Sequence, residues 1–419
     1  MLELCIAKDV LSEILYENKT FKHALHAKCF SNNEYKKYKT IVSALVGCEL
    51  RHHFLIKKVL SKLGVDLTSE ERIVLSLAIT NNHFLKRLPQ KDVNEYLKGV
   101  FHEKYPLIVH VLDEKLSLFD YVEIEHRSIE FLSLKFNLPK WLLKNFIKEI
   151  GLSKTYRIAQ TLSKPLNQTY RANPYNEKAK SILDNSKKIL GQERYPSIYE
   201  VPRKLLREHP ELNGEHLFRI DYHIKELIDE YQNELVGEVS VYAEQDDSLV
   251  LELLARSKNK LGVNVVCPNY EERTNLVRSV RLQKAKNIYV FKANDVTSMK
   301  TGISRKQELF YCFPESSSYS FINVYPDYIV RFRSNIIDGF VNKQKDALEK
   351  CSNFVCDGGS LIYLVDTMDY RETKEVTQCF LSSHPEFSLV KEKQMIPEKN
   401  HGSFLYYAIL KLENQDGEN

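Results

Sequence analysis

The sequence predicts a multidomain chain: an all-α bundle first, a small α+β linking region next, and an α/β domain with a mostly parallel, doubly wound sheet last. Three observations predict it. From Leu11 to about Asp120 apolar residues recur at three and four positions, as at Ile41, Leu45, Cys48 and Leu55, and almost no segment alternates with period two. The stretch 121–235 is mixed and holds the polar run Leu166-Asn167-Gln168-Thr169-Tyr170-Arg171-Ala172-Asn173-Pro174. From about 236 strand-like runs alternate with charged helical stretches, the pattern of a parallel sheet with crossover helices. The expected boundaries are therefore 1–120, 121–235 and 236–419.

Within the first region one helix start is explicit. In Leu67-Thr68-Ser69-Glu70-Glu71-Arg72 a hydroxyl cap and first-turn acids satisfy free amide donors and oppose the helix dipole. In the second, the spacing predicts a helix from Trp141 to Ile150 whose Leu143, Phe146, Ile147 and Ile150 face a core. In the third, strands are expected at Glu238 to Tyr242, Val263 to Val266, Asn287 to Phe291 and Ser360 to Val365. The last is preceded by the turn dipeptide Gly358-Gly359 and ends on a carboxylate, Asp366. The segment Glu413 to Asn419 is a polar tail.

Composition narrows the function classes. With 419 residues, 43% of them apolar, the chain has material for several cores, and its net charge of +4 names no partner. No apolar run nears the ~18 residues that span a bilayer, and acids within Met1 to Leu15 argue against a secretory leader, so a soluble protein without membrane attachment is expected. Eight cysteines without paired spacing are expected to be core thiols of a reducing compartment, the cytoplasm. Cys351 and Cys356 lack a matching second pair, so no metal site is expected, and His52-His53 reads as a helix-surface pair.

One charge feature stands out. Between Ser133 and Arg171 lie Lys135, Lys140, Lys144, Lys148, Lys154, Arg157, Lys164 and Arg171 against the single acid Glu149. Lys140, Lys144 and Lys148 fall four apart and form one helical stripe. A solvated helix face is the plainer account of such a stripe. The missing acids favour a polyanion, with phosphate backbone as the expected partner and with Lys135, Lys140, Lys144, Lys148, Arg157, Lys164, Arg171 and Asn173 as its contacts.

Several blocks along the chain carry a resemblance. Phe84-Leu85-Lys86-Arg87-Leu88-Pro89 with Val93-Asn94-Glu95, then Ser133 to Phe136, Pro139-Lys140-Trp141-Leu142 and Tyr170-Arg171-Ala172-Asn173-Pro174, lie ahead of the α/β region. Tyr325-Pro326-Asp327, Asp357-Gly358-Gly359-Ser360-Leu361-Ile362-Tyr363 and Gly402-Ser403-Phe404-Leu405-Tyr406 lie within it. In order and spacing they resemble motifs of the Sun/Fmu-type 16S ribosomal RNA cytosine-C5 methyltransferases. The resemblance implies a NusB-like helical domain, a small RNA-binding linker and a Rossmann-type methyltransferase domain that uses S-adenosylmethionine. It also implies two catalytic cysteines, because a thiolate must add to C6 of cytosine before C5 accepts the methyl group.

The chain departs from that pattern where the chemistry sits. The nucleophile's position after the strand falls on Asp366, and the second cysteine's position on Glu315 or Ser316, with Cys312 a few residues too early. The turn after the first strand reads Ala243-Glu244-Gln245-Asp246-Asp247-Ser248, without the glycines that allow close backbone approach. Pro268 stands where a ribose-binding acid is expected, and only Asp295 keeps a family position after the third strand. For Asp366 the plainer role is a cap on the next helix. The resemblance then implies a protein of methyltransferase ancestry that binds ribosomal RNA or a ribosome-assembly intermediate, with a protein partner in assembly, without methyl transfer and without a cofactor. The alternative is an active S-adenosylmethionine-dependent enzyme in which Cys312 and a shifted loop restore the chemistry.

Overall fold

The structure, a computed structural model, describes residues 1–126, 128–164, 168–176, 193–195, 198–201, 203–210, 214–231, 237–244, 248–257, 260–397 and 402–413. The chain forms two compact units: Met1–Pro165 with Phe321–Arg333, and Leu166–Ser320 with Ser334–Asn419.

The first unit is helical. Its main helices are Leu2–Tyr16, Phe21–Ser31, Lys39–Lys62, Ser69–Thr80, Gln90–Phe101, Ile129–Phe136 and Lys140–Leu162. The start read from sequence is present: the Thr68 hydroxyl accepts from the Glu71 amide at 3.2 Å and Glu71 Oε2 accepts from the Thr68 amide at 2.7 Å. Leu45, Leu55, Val59, Leu75 and Leu77 are fully buried, as the three-and-four periodicity requires. The helix expected from Trp141 extends over Lys140–Leu162 and breaks at Gly151, whose φ of 77° suits only a residue without Cβ. Leu142, Leu143 and Phe146 are buried, while Ile147 and Ile150 are half-buried.

The segment Phe321–Arg333 belongs to this helical unit although its chain neighbours on both sides lie in the other. The Asp327 carboxylate accepts from the Phe21 amide at 3.1 Å, Arg331 Nε donates to Asn18 O at 3.2 Å, and Trp141 stacks on Phe332 with ring centroids 5.7 Å apart. His52 and His53, expected on a helix surface, are half-buried instead: His52 stacks on Phe84 at 3.8 Å and His53 bonds Glu49. Burial lowers the His52 pKa, since the charged ring would lose its water.

The second unit holds two sheets. Strands β1 (Gln168–Ala172), β2 (Glu193–Tyr195), β3 (Ile198–Val201) and β4 (Leu217–Arg219) form an antiparallel sheet in the order β2-β3-β1-β4. Strands β5 (Glu238–Ala243), β6 (Gly262–Val266), β7 (Ile288–Phe291), β8 (Gln307–Phe313), β9 (Val355–Val365), β10 (Phe387–Met395) and β11 (Leu405–Leu412) form the second, in the order β10-β11-β9-β8-β5-β6-β7. The strands from β5 to β9 pair in parallel, and β11 is antiparallel to both β9 and β10. This is the mostly parallel, doubly wound α/β sheet that the strand-helix alternation predicts. β9 is apolar almost throughout its second half because both of its faces are covered, and Leu361 to Val365 are all fully buried.

Gly358-Gly359 does not end a turn before β9 but lies within it, at a bulge: Gln307 pairs with Val355 while Leu309 pairs with Ser360. Gly358 has φ 69°, and a Cβ on Gly359 would meet Cys356 O at 2.8 Å. The small sheet joins the large one through polar contacts from β1 and the loop after it. Arg171 forks onto both oxygens of Glu252 in the helix Ser248–Ser257. Asn173 Nδ2 donates to Glu215 O at 2.9 Å and Gln283 O at 3.1 Å.

Candidate functional site

In an open parallel sheet the ligand crevice lies beyond the carboxyl ends of the strands, where the strand order reverses. Here that is the gap between β5, flanked by β6, and β8, flanked by β9. Three residues follow these strand ends: Glu244 after β5, Pro314 after β8 and Asp366 after β9. The ends of β5 and β8 are tied together, since the Glu244 amide donates to Phe313 O at 3.2 Å and the Glu315 amide donates to Glu244 Oε2 at 2.9 Å. The Tyr242 hydroxyl adds a bond to Glu244 Oε1 at 3.1 Å.

Asp366 is not a helix cap. The next helix, Lys374–Ser383, starts eight residues later behind Thr373, and Asp366 Oδ1 accepts instead from the hydroxyls of Ser316 at 2.5 Å and Ser318 at 2.9 Å. The serine loop is folded to make this possible: the Ser318 amide donates to Ser316 Oγ at 3.1 Å, and Ser318 takes a left-handed φ of 47°, unusual for a residue with Cβ. Ser317 Oγ meets Thr367 Oγ1 at 2.8 Å, and all three serines are almost fully buried.

Behind the loop stands Glu372, fully buried, a residue that no motif or spacing in the sequence singles out. Its Oε1 accepts from the Ser317 amide at 2.8 Å and from Gln344 Nε2 at 3.0 Å. Burial pushes its pKa up to about 7, against the bonds from Ser317 and Gln344 that favour the anion. Glu372 Oε2 and Gln344 Oε1 are both buried acceptors without a hydrogen-bond partner, and a proton on the former turns it into a donor. Nearby Asp369 takes the Tyr319 hydroxyl at 3.0 Å and Arg371 Nε at 3.0 Å. The site is thus a network of hydroxyls and carboxylates whose oxygens are largely occupied by one another.

Thiols are placed elsewhere. Cys312 lies inside β8 rather than in the loop after it, and is fully buried. Burial, with a bond to Cys351, drives its pKa well above the ordinary thiol value, away from the thiolate that nucleophilic addition needs. Of the two residues aligned with the second cysteine, Ser316 sits on Asp366, while Glu315 sits outward and pairs with Lys343 at 2.5 Å.

The polar residues at the ends of β6 and β7 cap the helices that follow them. After β6 come Cys267, whose burial pushes its thiol up to about 11, then Pro268, then Asn269, whose Oδ1 caps the helix Tyr270–Gln283 through the Glu271 amide at 2.9 Å. Asp295 caps the short helix Val296–Met299, accepting from the Ser298 amide at 2.7 Å, a bond that also lowers its pKa. The expected acids Asp246 and Asp247 lie outside the described residues.

The expected RNA contacts separate into two groups. Lys135, Lys140, Lys144, Lys148, Lys154, Arg157 and Lys164 are exposed on the helical unit, with the break at Gly151 dividing them. Lys140 pairs with Glu130 at 3.1 Å, an acid just upstream of the acid-poor stretch, and Lys135 lies over the rings of Phe131, Phe136 and Tyr156 at 5.4, 5.5 and 5.7 Å. Arg171 and Asn173 are buried in the second unit, and their side chains hold β1 and its loop to the large sheet. That correction has a simple cause: the sequence shows charge but not its distant partner Glu252. Among the described residues no cluster of His, Cys, Asp or Glu could hold a metal ion, and no helix is long and apolar enough to cross a membrane.

No family model and no curated protein matches the chain. Solved structures do. PH0851 matches with a TM-score of 0.69 and 17% identity over 97% of this chain and 98% of that one. A methyltransferase homolog protein from Pyrococcus horikoshii matches with a TM-score of 0.55 and 13% identity over 68% of this chain and 99% of its own. NSun6 from Pyrococcus horikoshii, solved with SFG, matches with a TM-score of 0.55 and 11% identity over 65% and 98%. At these identities the likeness is one of fold.

Proposed function

We propose that this chain is an RNA-binding protein of Sun/Fmu methyltransferase ancestry, with ribosomal RNA as its target and without methyl transfer. The observation that carries the reading is the Asp366 cluster. Where the chemistry needs one thiol after β9 and another after β8, a carboxylate and the serine hydroxyls bond each other. A carboxylate is a poor nucleophile towards C6 of cytosine and a good leaving group, so an adduct does not accumulate. The regions 1–120, 121–235 and 236–419 are proposed as the modules of that ancestry, working in the cytoplasm on a ribosome-assembly intermediate.

Calorimetric titration of the full chain with S-adenosylmethionine is expected to show no binding even at millimolar ligand. The grounds are the carboxylate of Glu244 locked to the β8 loop and the cap that replaces a ribose acid after β6. A saturable isotherm at micromolar ligand returns the chain to the active-enzyme reading, in which a shifted loop around Cys312 supplies the chemistry.

Structured RNA is expected along the exposed cations of the helix Lys140–Leu162. Lys140, Lys144 and Lys148 changed together to Glu abolish binding in this reading, and wild-type affinity falls with salt by a log–log slope of about −0.7 to −0.9 per phosphate contact. Filter binding of ribosomal RNA fragments at several salt concentrations checks both. Undiminished binding by the triple variant removes this face from the site.

A further inference from the structure

The helix Lys140–Leu162 changes character at its break. Before Gly151 its exposed side chains are Lys140, Lys144 and Lys148, charges alone. After it Leu152 is 56% exposed and Tyr156 37%, among exposed Lys154, Arg157 and Gln160. Leu152 and Tyr156 lie four apart and form one stripe of the helix, which Arg157 flanks. Apolar side chains exposed singly are ordinary, but here an aromatic ring stands within a basic face.

Residues distant in sequence fix that ring and add charge beside it. Phe136 packs on Tyr156 with ring centroids 5.3 Å apart and planes at 82°, and Lys135 Nζ donates to the Tyr156 hydroxyl at 3.4 Å. Lys135 and Phe136 also line a hollow of about 310 Å³ together with Arg51, Asn137, Ser163 and Lys164. Three cations therefore converge next to the tyrosine: one from the helix Lys39–Lys62, one from the helix Ile129–Phe136, and one just past Leu162.

Cations alone accept any polyanion. The ring adds a preference, because a base is free to stack on it only when it is not already stacked within a duplex. We propose that the second half of this helix binds RNA through an unpaired nucleotide, its base stacked on Tyr156 and its phosphate held by Lys135 and Lys164, while Lys140, Lys144 and Lys148 contact neighbouring phosphates. The inference rests on the reading of this helix as an RNA surface and adds the kind of RNA, a single strand or loop in place of a continuous duplex.

Fluorescence anisotropy of the full chain with a short single-stranded RNA and with the duplex of the same sequence tests it. The single strand is expected to bind about tenfold tighter than the duplex, and Tyr156→Ala to remove that advantage, which is about the effect of one stacked base. Tyr156→Phe keeps the ring and is expected to keep the advantage. Tyr156→Leu, which retains apolar packing on Phe136 but no aromatic face, serves if Tyr156→Ala does not fold. Lys164→Gln is expected to lower the log–log salt slope by about 0.7, one phosphate contact, whereas Tyr156→Ala leaves that slope unchanged. Equal affinity for single strand and duplex, or a preference that survives both Tyr156→Ala and Tyr156→Leu, overturns the inference and leaves the lysine face standing. Failure of both RNAs to bind overturns the two together. An acidic peptide of equal charge that binds as tightly as the single strand puts a protein partner in place of the RNA.

Discussion

Glu252→Gln is expected to destabilise the second unit by about 3–5 kcal/mol, the cost of leaving a buried charge without its partner. Glu252 is fully buried and both of its oxygens hold Arg171, which is itself only 9% exposed. Arg256 Nε also reaches Glu252, at 2.6 Å. The consequences of the two possible truncations therefore differ. Without Glu252 the Arg171 guanidinium is buried with no carboxylate, whereas in Arg171→Ala the carboxylate keeps Arg256. Arg171→Ala is expected to cost less than Glu252→Gln, and Arg171→Met combined with Glu252→Leu to recover much of the loss. Urea unfolding of the single and double variants measures this. RNA affinity lost in Arg171→Ala at full stability would instead return Arg171 to the RNA surface.

The second large effect is a pH dependence centred on Glu372. Its pKa in the folded protein is raised to about 7 from an ordinary 4.5, so between those values the folded chain keeps a proton that the unfolded chain has lost. The stabilising contribution of the protonated form is complete below the unfolded value and is lost as pH rises through the folded one. At about 1.4 kcal/mol per pH unit the loss amounts to about 3 kcal/mol between pH 4 and pH 8. Glu372→Gln has no proton to lose. It is expected to unfold at higher urea than wild type at pH 8 and to show little or no advantage at pH 4.5. A difference that is the same at both pH values would mean that folding does not raise the Glu372 pKa.

The local signals in the sequence correspond to local structure. Thr68 and Glu71 cap each other within four residues, and the apolar spacing of 41–55 marks the buried side of one helix. The strands at 238, 263, 288 and 360 follow from short β-branched runs, and their parallel pairing from the helices between them. Each of these is decided by neighbours in the chain, where a side chain's period or a cap bond leaves a readable pattern.

The site was legible only in part, as residue identities without their partners. The sequence put a carboxylate after β9 and serines after β8, and the resemblance aligned both with lost cysteines. That Asp366 holds the hydroxyls of Ser316 and Ser318 rather than a helix end was settled by contact between residues about fifty positions apart. The Gly358-Gly359 pair looked like a turn because glycine marks turns and bulges alike, and only the register against β8 distinguishes them.

The sequence by itself determined the periodicities, the capping box, the order of strands and helices and the supply of charge. Tertiary structure alone decided which charges remain in water. Lys144 and Arg171 belong to one basic run, yet Lys144 is exposed on a helix while Arg171 is buried on Glu252, 81 residues away. The free energy of a charge depends on the water it loses and the partner it gains, and both are set by which elements come to lie against each other.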